Sequence, residues 1–190
     1  KQLGVALIDI GGGTTDVIIY NNNAVLHTAA IPLGGMSITS DIAYGFTITL
    51  EQAESLKCDH GLAKEALASD ESEIIIKGTN ERNDVKISQK ELSSIIEARM
   101  QEIFHLVKSE IRKYENEVNL NFGIVITGGG SKLKNIEDLA MEVFELEIKL
   151  GKPNSINGID DIINNPRYST IIGLIKYIND NKNIMINRKI

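Results

Sequence analysis

The stretch Asp9-Ile10-Gly11-Gly12-Gly13-Thr14-Thr15-Asp16 joins two runs rich in β-branched residues, Val5 to Ile10 and Thr14 to Tyr20. Three residues without side chains between two strands allow successive backbone amides to approach a phosphate closely, and the hydroxyls of Thr14 and Thr15 can add further donors. The stretch therefore predicts a phosphate-binding turn. The alternative interpretation is a hairpin that needs its glycines only for positive φ angles.

A carboxylate, Asp9, stands at the start of this turn. It would repel a bound phosphate unless a cation lay between the two. Mg²⁺ suits that position, because it keeps several of its waters and takes only one or two carboxylates from a protein. The sequence therefore predicts an outer-sphere magnesium position at Asp9, with Asp16 as a second candidate.

A second glycine turn, Thr127-Gly128-Gly129-Gly130-Ser131, follows the predicted strand Phe122 to Thr127 and precedes a predicted helix, Asn135 to Phe144. Without side chains, this turn would let a flat adenine lie against the backbone; the alternative is a tight connection between strand and helix. Neither turn is a P-loop or a Rossmann fingerprint, because the first turn joins strand to strand and the Gly-Lys-Ser/Thr ending is absent.

Between the two turns, Glu54 and Lys57 lie three residues apart on a helix predicted to begin at Thr49 and to end at Gly61. Both side chains could bond ribose hydroxyls or the edges of a base. The alternative is an ion pair on the helix surface, which would contribute little to stability.

The composition is that of a globular protein, since 42% of the 190 residues are hydrophobic and 24% are charged. A net charge of -6 would repel the phosphates of nucleic acids. The longest apolar runs, such as Ile171 to Ile175, fall well short of the ~20 residues that cross a bilayer. One cysteine and three scattered histidines offer no metal-ligand cluster. We therefore expect a cytosolic protein without a nucleic-acid partner.

The order of elements predicts an α/β fold with a mixed sheet and flanking helices. A core is expected over residues 1–60 and 121–180, and a small inserted α+β subdomain over 61–120. In that insertion, a capping box at Ser88 and Glu91 starts a helix of some thirty residues, whose apolar stripe runs to Val118. A last helix is predicted from Tyr168 to Asn179, with a fraying tail that includes 181–190.

Some side chains have no assigned chemistry. His105 is expected to be partly exposed, and the following residues are expected in the core: Cys58, Ile171, Ile172, Leu174 and Ile175. Because the chain begins without Met or a signal-peptide pattern, we expect it to be part of a longer protein.

Taken together, the two glycine turns and the Glu54-x-x-Lys57 pair resemble the second half of the actin, Hsp70 and sugar-kinase ATPase superfamily. There they are the second phosphate loop, the adenosine motif and the ribose-contacting helix. Within that superfamily, four stretches resemble the FtsA family of bacterial cell-division proteins: Ile31-Pro32-Leu33-Gly34-Gly35, Thr39-Ser40-Asp41-Ile42-Ala43-Tyr44, Ala53-Glu54-x-x-Lys57 with His60-Gly61, and Tyr168-Ser169-Thr170-x-x-Gly173-Leu174. The resemblance covers about Gly4 to Tyr177.

This resemblance implies the second lobe of an actin-like (ribonuclease H-like) protein that binds ATP and Mg²⁺ between two lobes. It also implies polymerisation into filaments, tethering of FtsZ at the cytoplasmic face of the cell membrane at the division site, and recruitment of other division proteins. Membrane attachment would use a segment outside this chain. At most a weak ATPase is expected from the whole protein, and none from this chain alone.

Arg99 matches an arginine of the family in the subdomain that receives the C-terminal tail of FtsZ. An arginine there could pair with a carboxylate of an acidic peptide; the alternative is a solvated helix charge. Two other functions within the superfamily compete with the scaffold: a kinase that acts on a sugar or an acid, and a chaperone ATPase of the Hsp70 type.

Overall fold

The computed structural model describes residues 4–69, 71–78, 83–153 and 164–186. Its strands and helices, in chain order, are β1 Val5–Ile10, β2 Thr15–Asn21, β3 Ala24–Ile31, α1 Gly35–Phe46, α2 Leu50–His60, β4 Glu73–Ile76, β5 Val85–Ser88, α3 Gln89–Arg112, β6 Ile124–Thr127, α4 Ile136–Phe144, β7 Ile148–Leu150 and α5 Ser169–Ile186. Short 3-10 turns lie at Glu65–Leu67, Gly129–Lys132 and Pro166–Tyr168.

Five strands form one mixed sheet in the order β3-β2-β1-β6-β7. The first three are antiparallel neighbours, and β1, β6 and β7 run parallel to one another. Alternate residues of the central strand β1, namely Ala6, Ile8 and Ile10, are fully buried, while those between them are only partly covered. This period of two fixes which face of the sheet meets the helices. The predicted α/β fold with a mixed sheet is confirmed.

Helix α3 supplies the other half of the core. Its capping box is the predicted one, with Ser88 as the N-cap and Glu91 bonded back to it. One stripe along the helix is buried: Leu92, Ile96, Met100, Ile103, Phe104 and Val107. The predicted length is wrong, because α3 ends at Arg112. Val118 is nevertheless buried, since the chain folds back through turns in which the amides of Glu117 and Val118 donate to the carbonyl of Tyr114.

Strands β4 and β5 pair as a separate two-stranded antiparallel sheet. Ile74, Ile76 and Ile87 point into the core, and the chain enters α3 directly after β5. The division into a core and an inserted subdomain stays a prediction. The hairpin and α3 are the elements on which it rests.

Helix α5 differs from its prediction in two ways. Ile172 is buried, but Ile171, Leu174 and Ile175 are each more than half exposed, because the helix docks on the other described elements mainly through its first turn. The helix also continues to Ile186 rather than fraying at Asn179, and residues 187–190 of the predicted tail lie outside the described residues. None of the described helices has the length and hydrophobicity that a bilayer crossing requires.

Cys58 is exposed on α2 rather than part of the core. The apolar spacing of α2 selects Ala53 and Leu56 as its buried residues, and Cys58 lies off that face. His105 is exposed on α3.

Candidate functional site

The two glycine turns are neighbours at one edge of the sheet. Strands β1 and β6 are parallel, with Asp9 aligned to Thr127, so the segments that follow both strands leave the sheet on the same side. A Cβ atom on Gly128 would lie 2.2 Å from Oδ1 of Asp9 and 2.5 Å from the carbonyl oxygen of Ile10. One ligand of nucleotide size could therefore contact both turns.

The first turn is held by the start of α1. The amide of Gly35 donates to the carbonyl of Gly11 at 2.9 Å, and that of Met36 donates to the carbonyl of Gly12 at 2.8 Å. A Cβ atom on Gly34 would lie 2.7 Å from each of those carbonyl oxygens, so this close approach requires a glycine. The carbonyls of Gly11 and Gly12 therefore face the protein.

The amide of Gly11 donates to the carbonyl of Thr14 at 2.9 Å, but the next three amides of the hairpin have no such partner among the described residues. Those of Gly12, Gly13 and Thr14 donate to no acceptor among the described residues, and all three residues are exposed. None of the three hairpin glycines has a φ angle in the left-handed region. A Cβ atom on Gly13 would meet nothing within 4 Å, and one on Gly12 would meet only Cγ of Met36 at 3.9 Å. The chain's own conformation thus does not require glycine at Gly12 or Gly13.

The second turn is different. Gly128 has a φ of 87°, and a Cβ atom on Gly130 would lie 2.3 Å from Cγ2 of Ile10. Both glycines are therefore required by close packing against β1. Gly129 is open, because its Cβ would approach only Cγ of Arg167, at 3.8 Å. The hydroxyl of Ser131 donates to the carbonyl of Gly128 at 2.8 Å and closes the turn.

The carboxylate of Asp9 lies between the two turns. Its Oδ2 accepts a hydrogen bond of 2.7 Å from the hydroxyl of Thr170 in the first turn of α5. Asp16 is the direct cross-strand partner of Asp9, so both carboxylates lie on one face of the sheet. No group of three or more potential ligands for a metal occurs in the described part of the chain. Asp9 and Asp16 offer at most two carboxylates. Such a pair suits an ion that takes its other ligands from water and phosphate, and Mg²⁺ is an ion of this kind.

The two threonines of the first turn differ in their accessibility. Thr14 is exposed beside the free amides. Thr15 is fully buried, and its hydroxyl donates to the carbonyl of Leu33 at 2.9 Å. In this structure the side chain of Thr15 therefore holds the turn against the segment that leads into α1, and its one donor is used there.

Glu54 and Lys57 form more than a surface ion pair. The Lys57 ammonium donates to Oε2 of Glu54 at 2.7 Å, to the Thr39 hydroxyl at 2.8 Å and to the Gly35 carbonyl at 2.9 Å. The Thr39 hydroxyl also bonds Oε2 of Glu54. Partial burial raises the pKa of Glu54, but the hydrogen bonds from Lys57 and Thr39 outweigh it, and the net pKa is lowered.

Helix α2 therefore belongs to the same edge of the sheet as the glycine turns. Gly35 is bonded through its carbonyl to Lys57 and through its amide to the first turn. Just after the same end of α2, the amide of Ala63 donates to the carbonyl of Lys134 at 2.8 Å, beyond the second turn. The structure thus brings all three predicted motifs together around β1.

Arg99 lies elsewhere, on α3. Its guanidinium binds both carboxylate oxygens of Asp41 on α1, at 2.6 and 2.9 Å, and it also bonds Glu102. The hydrogen bonds to Asp41 raise the pKa of Arg99 further. Arg99 therefore already has carboxylate partners within the chain, and its predicted contact with an acidic peptide stays a prediction.

Sequence reasoning missed three contributors to the site: Thr39, the Gly34-Gly35 pair and Thr170. Each acts through a contact with a residue far away along the chain. The adjacent glycines before α1 were a usable signal, because a helix start seldom needs two residues without side chains. Thr39 and Thr170 lie in stretches that resemble the FtsA family, but nothing local indicated that their hydroxyls contact Lys57 and Asp9.

Comparisons with known proteins identify a family for this chain. The family model described as "Cell division protein FtsA" matches residues 6–173. Cell division protein FtsA of Pseudomonas aeruginosa is 40% identical over 177 residues, which are 93% of this chain and 42% of the relative. That of Neisseria meningitidis serogroup B is 42% identical over 177 residues, which are 92% of this chain and 42% of the relative. That of Escherichia coli K12 is 34% identical over 184 residues, and the match covers 93% of this chain and 44% of the relative. The chain thus spans less than half the length of these relatives.

Solved structures establish the fold. MreB5 of Spiroplasma citri bound to AMPPNP superposes with a TM-score of 0.76 and 22% identity, over 98% of this chain and 56% of that one. The structure of the same protein bound to ADP gives a TM-score of 0.75. At this identity the likeness concerns the fold alone, which is actin-like as predicted.

Proposed function

Because this chain belongs to the FtsA family of cell division proteins and has an actin-like fold, we propose that it is one lobe of an ATP-binding scaffold of the division machinery. The observation that carries nucleotide binding is the first glycine turn. Three amides that have no acceptor among the described residues lie beside two glycines that the chain's own packing does not require. Free amides beside missing side chains are what a phosphate group needs at close range.

In this proposal the amides of Gly12, Gly13 and Thr14 bind the phosphates. The carboxylate of Glu54 accepts a hydrogen bond from a ribose hydroxyl. The turn from Gly128 to Gly130 lies beside the base, with Gly129 as its open position. The nucleotide-bound MreB5 structures support the proposal, since that protein shares the fold and binds AMPPNP and ADP.

Mg²⁺ would be held near Asp9, with Asp16 beside it. The ion would neutralise the charge between the phosphates and these carboxylates. The protein's own contribution is to fix Asp9, which the hydroxyl of Thr170 holds from α5. A second lobe would close over the nucleotide from the other side, and the isolated chain is expected to show no ATP turnover.

Titration of the full-length protein with ATP tests this function. Calorimetry in the presence of Mg²⁺ should show one site, and EDTA should weaken binding about tenfold or more, which corresponds to roughly 1.4 kcal/mol. Asp9→Asn should remove most of the magnesium dependence while ATP still binds. Failure of the wild-type protein to bind ATP with Mg²⁺ would contradict the proposal.

We further propose that the scaffold binds the C-terminal tail of FtsZ and self-associates into filaments. It would act at the inner face of the cell membrane at the division site. Support comes from the family, whose members are cell division proteins. The family also favours a scaffold over a sugar kinase or an Hsp70-type chaperone. In this proposal the β4–β5 hairpin and α3 form the inserted subdomain that receives the tail.

Substitution of Arg99 tests the proposed binding site for the FtsZ tail. An acidic peptide that binds there must compete with Asp41 for the guanidinium. Arg99→Gln should weaken binding of an FtsZ tail peptide about tenfold in a fluorescence titration, the size expected for loss of a charge-assisted contact. Arg112→Gln, in the last turn of the same helix, is the matched control and should leave affinity unchanged. Equal affinity of Arg99→Gln and wild type would place the peptide elsewhere.

A further inference from the structure

We propose that helix α5 responds to ligand binding at the nucleotide site, and that the hydroxyl of Thr170 transmits this response. The inference rests on the site proposed above, because the bound cation and phosphates are the event to which the helix responds. It adds a conformational consequence, since binding at Asp9 would stabilise the first turn of α5.

Two successive hydroxyl groups bind the first turn of α5 to the sheet. The hydroxyl of Thr170 donates to Oδ2 of Asp9 at 2.7 Å, and the hydroxyls of Ser169 and Thr127 lie 2.7 Å apart. Because the single proton of the Thr127 hydroxyl is donated to the carbonyl of Gly151, at 3.1 Å, Ser169 is the donor in the second bond. Asp9 and Thr127 are aligned on the parallel strands β1 and β6, so the helix is bound to two adjacent strands.

The helix beyond its first turn is much less attached to the described elements. Ile172 is buried, but Leu174, Ile175 and Tyr177 are each more than half exposed. A Cβ atom on Gly173 would meet nothing within 4 Å. The attachment of α5 to the sheet therefore depends on its first turn, and a change in either hydroxyl bond acts on the start of the whole helix.

The two hydroxyl bonds differ in the charge of their acceptors. Asp9 carries a carboxylate at the proposed magnesium position, whereas Thr127 is neutral and only 5% exposed. Oδ2 of Asp9 is engaged by Thr170, but Oδ1 accepts no hydrogen bond from the described residues. Oδ1 is therefore the oxygen that is available to a water molecule on the cation. Ligand binding would act on the bond of Thr170 and leave the bond of Ser169 as it is.

The ligand and the helix therefore share one carboxylate. Thr170 favours the orientation of Asp9 in which Oδ2 faces α5 and Oδ1 is left for the site. A ligand that uses Oδ1 favours that same orientation. Because coupling between two binding events is reciprocal, bound ATP and Mg²⁺ should stabilise the first turn of α5, and loss of the Thr170 hydroxyl should weaken their binding.

Hydrogen exchange in the full-length protein measures this coupling. In a regular helix the amides of Gly173 and Leu174 donate to the carbonyls of Ser169 and Thr170, so they exchange when the first turn opens. Saturating ATP with Mg²⁺ should slow the exchange of these two amides severalfold in the wild type. Exchange that is unchanged or faster with the ligand would overturn the inference.

Two neighbouring substitutions separate the coupled bond from the uncoupled one. Thr170→Val keeps the side-chain shape but removes the hydroxyl, so α5 should exchange faster and should no longer respond to saturating ATP with Mg²⁺. Ser169→Ala is the matched control, because it removes the bond to a neutral acceptor. Its helix should also exchange faster, but the ligand should still slow that exchange severalfold. If the ligand slows exchange in both variants or in neither, Thr170 is not the link.

The affinity for ATP gives a second readout in variants that keep their circular-dichroism spectrum. With Mg²⁺, Thr170→Val should bind ATP severalfold more weakly than the wild type, and Thr170→Ser, which keeps a hydroxyl, should restore the affinity. With EDTA, the wild type and Thr170→Val should bind ATP about equally, because the coupling passes through the cation position at Asp9. An equal loss with Mg²⁺ and with EDTA would mean a general disturbance of the site and would overturn the inference.

The same measurements distinguish the inference from the proposed function. If the wild type binds no ATP in the presence of Mg²⁺, the proposed function fails and the inference fails with it. If ATP binds in a magnesium-dependent way while the exchange of α5 stays unchanged, only the inference fails.

Discussion

In the turn after β6, Gly128 has a φ of 87° and Gly130 packs against Ile10; in the turn after β1, Gly12 and Gly13 have ordinary backbone angles and open surroundings. The two turns look alike in the sequence and meet at the same edge of the sheet. One contains glycine because the fold leaves no room for a Cβ atom. The other contains it where the fold leaves room, which points to a ligand that occupies the space.

The two turns also differ in how they are fastened. The second turn is held by close packing of its own backbone on β1. The first is held from outside, by hydrogen bonds from Gly35 and Met36 at the start of α1. Substitutions in the second turn should therefore act on stability, and substitutions in the first turn on ligand affinity.

The largest expected effect is on the stability of Gly128→Ala. The new Cβ atom would lie 2.2 Å from Oδ1 of Asp9, in a backbone conformation that disfavours a side chain. We expect a loss of about 3 kcal/mol or more in the free energy of unfolding, measured by urea denaturation. Gly129→Ala is the matched control, and we expect a change of less than about 1 kcal/mol. Equal stability of the two variants would contradict this account of the second turn.

Gly13→Val should show the opposite pattern. Because a Cβ atom at this position meets nothing within 4 Å, the urea midpoint should stay close to that of the wild type. The valine side chain would shield the free amides, and ATP affinity should fall about tenfold or more, by roughly 1.4 kcal/mol. Isothermal titration of the full-length protein measures this. A stable variant that binds ATP as tightly as the wild type would break the comparison.

The smallest expected effect is a pH dependence that reports on the support of the first turn. The folded pKa of Glu54 lies below the ordinary value of 4.5, so the folded protein binds fewer protons there than the unfolded chain. The associated stability is present above about pH 4.5 and is lost as pH falls through the folded pKa.

For a carboxylate that is 46% exposed, solvent screening reduces this contribution to about 0.5 kcal/mol. Urea denaturation at a series of pH values should show that Glu54→Gln and Lys57→Met lose this part of the acid dependence. An acid dependence identical to that of the wild type would mean that Lys57 and Glu54 do not interact in solution.

Local signals predicted much of this fold. The strand Val5–Ile10 has the predicted bounds, and the capping boxes at Thr49 and Ser88 start the helices α2 and α3. Each of these features depends on residues that are close together in the sequence, so it can be predicted from the sequence directly. The apolar stripe of α3 was extended too far, because a buried residue such as Val118 can keep helical spacing after the helix has ended.

Contacts between distant residues could not be predicted in the same way. The spacing of Glu54 and Lys57 placed both on one helix face, but only the fold shows Thr39 and Gly35 beside the ammonium. The apolar face of α5 was assigned to the core because spacing indicates a buried stripe without naming what covers it. Ile172 alone of its four predicted core residues is buried among the described residues.

A crystal structure of the full-length protein with AMPPNP and Mg²⁺ tests the central claim most directly. We expect phosphate oxygens about 3 Å from the amide nitrogens of Gly12, Gly13 and Thr14, the usual distance of a hydrogen bond. A bound nucleotide whose phosphates lie away from these three amides would contradict the account.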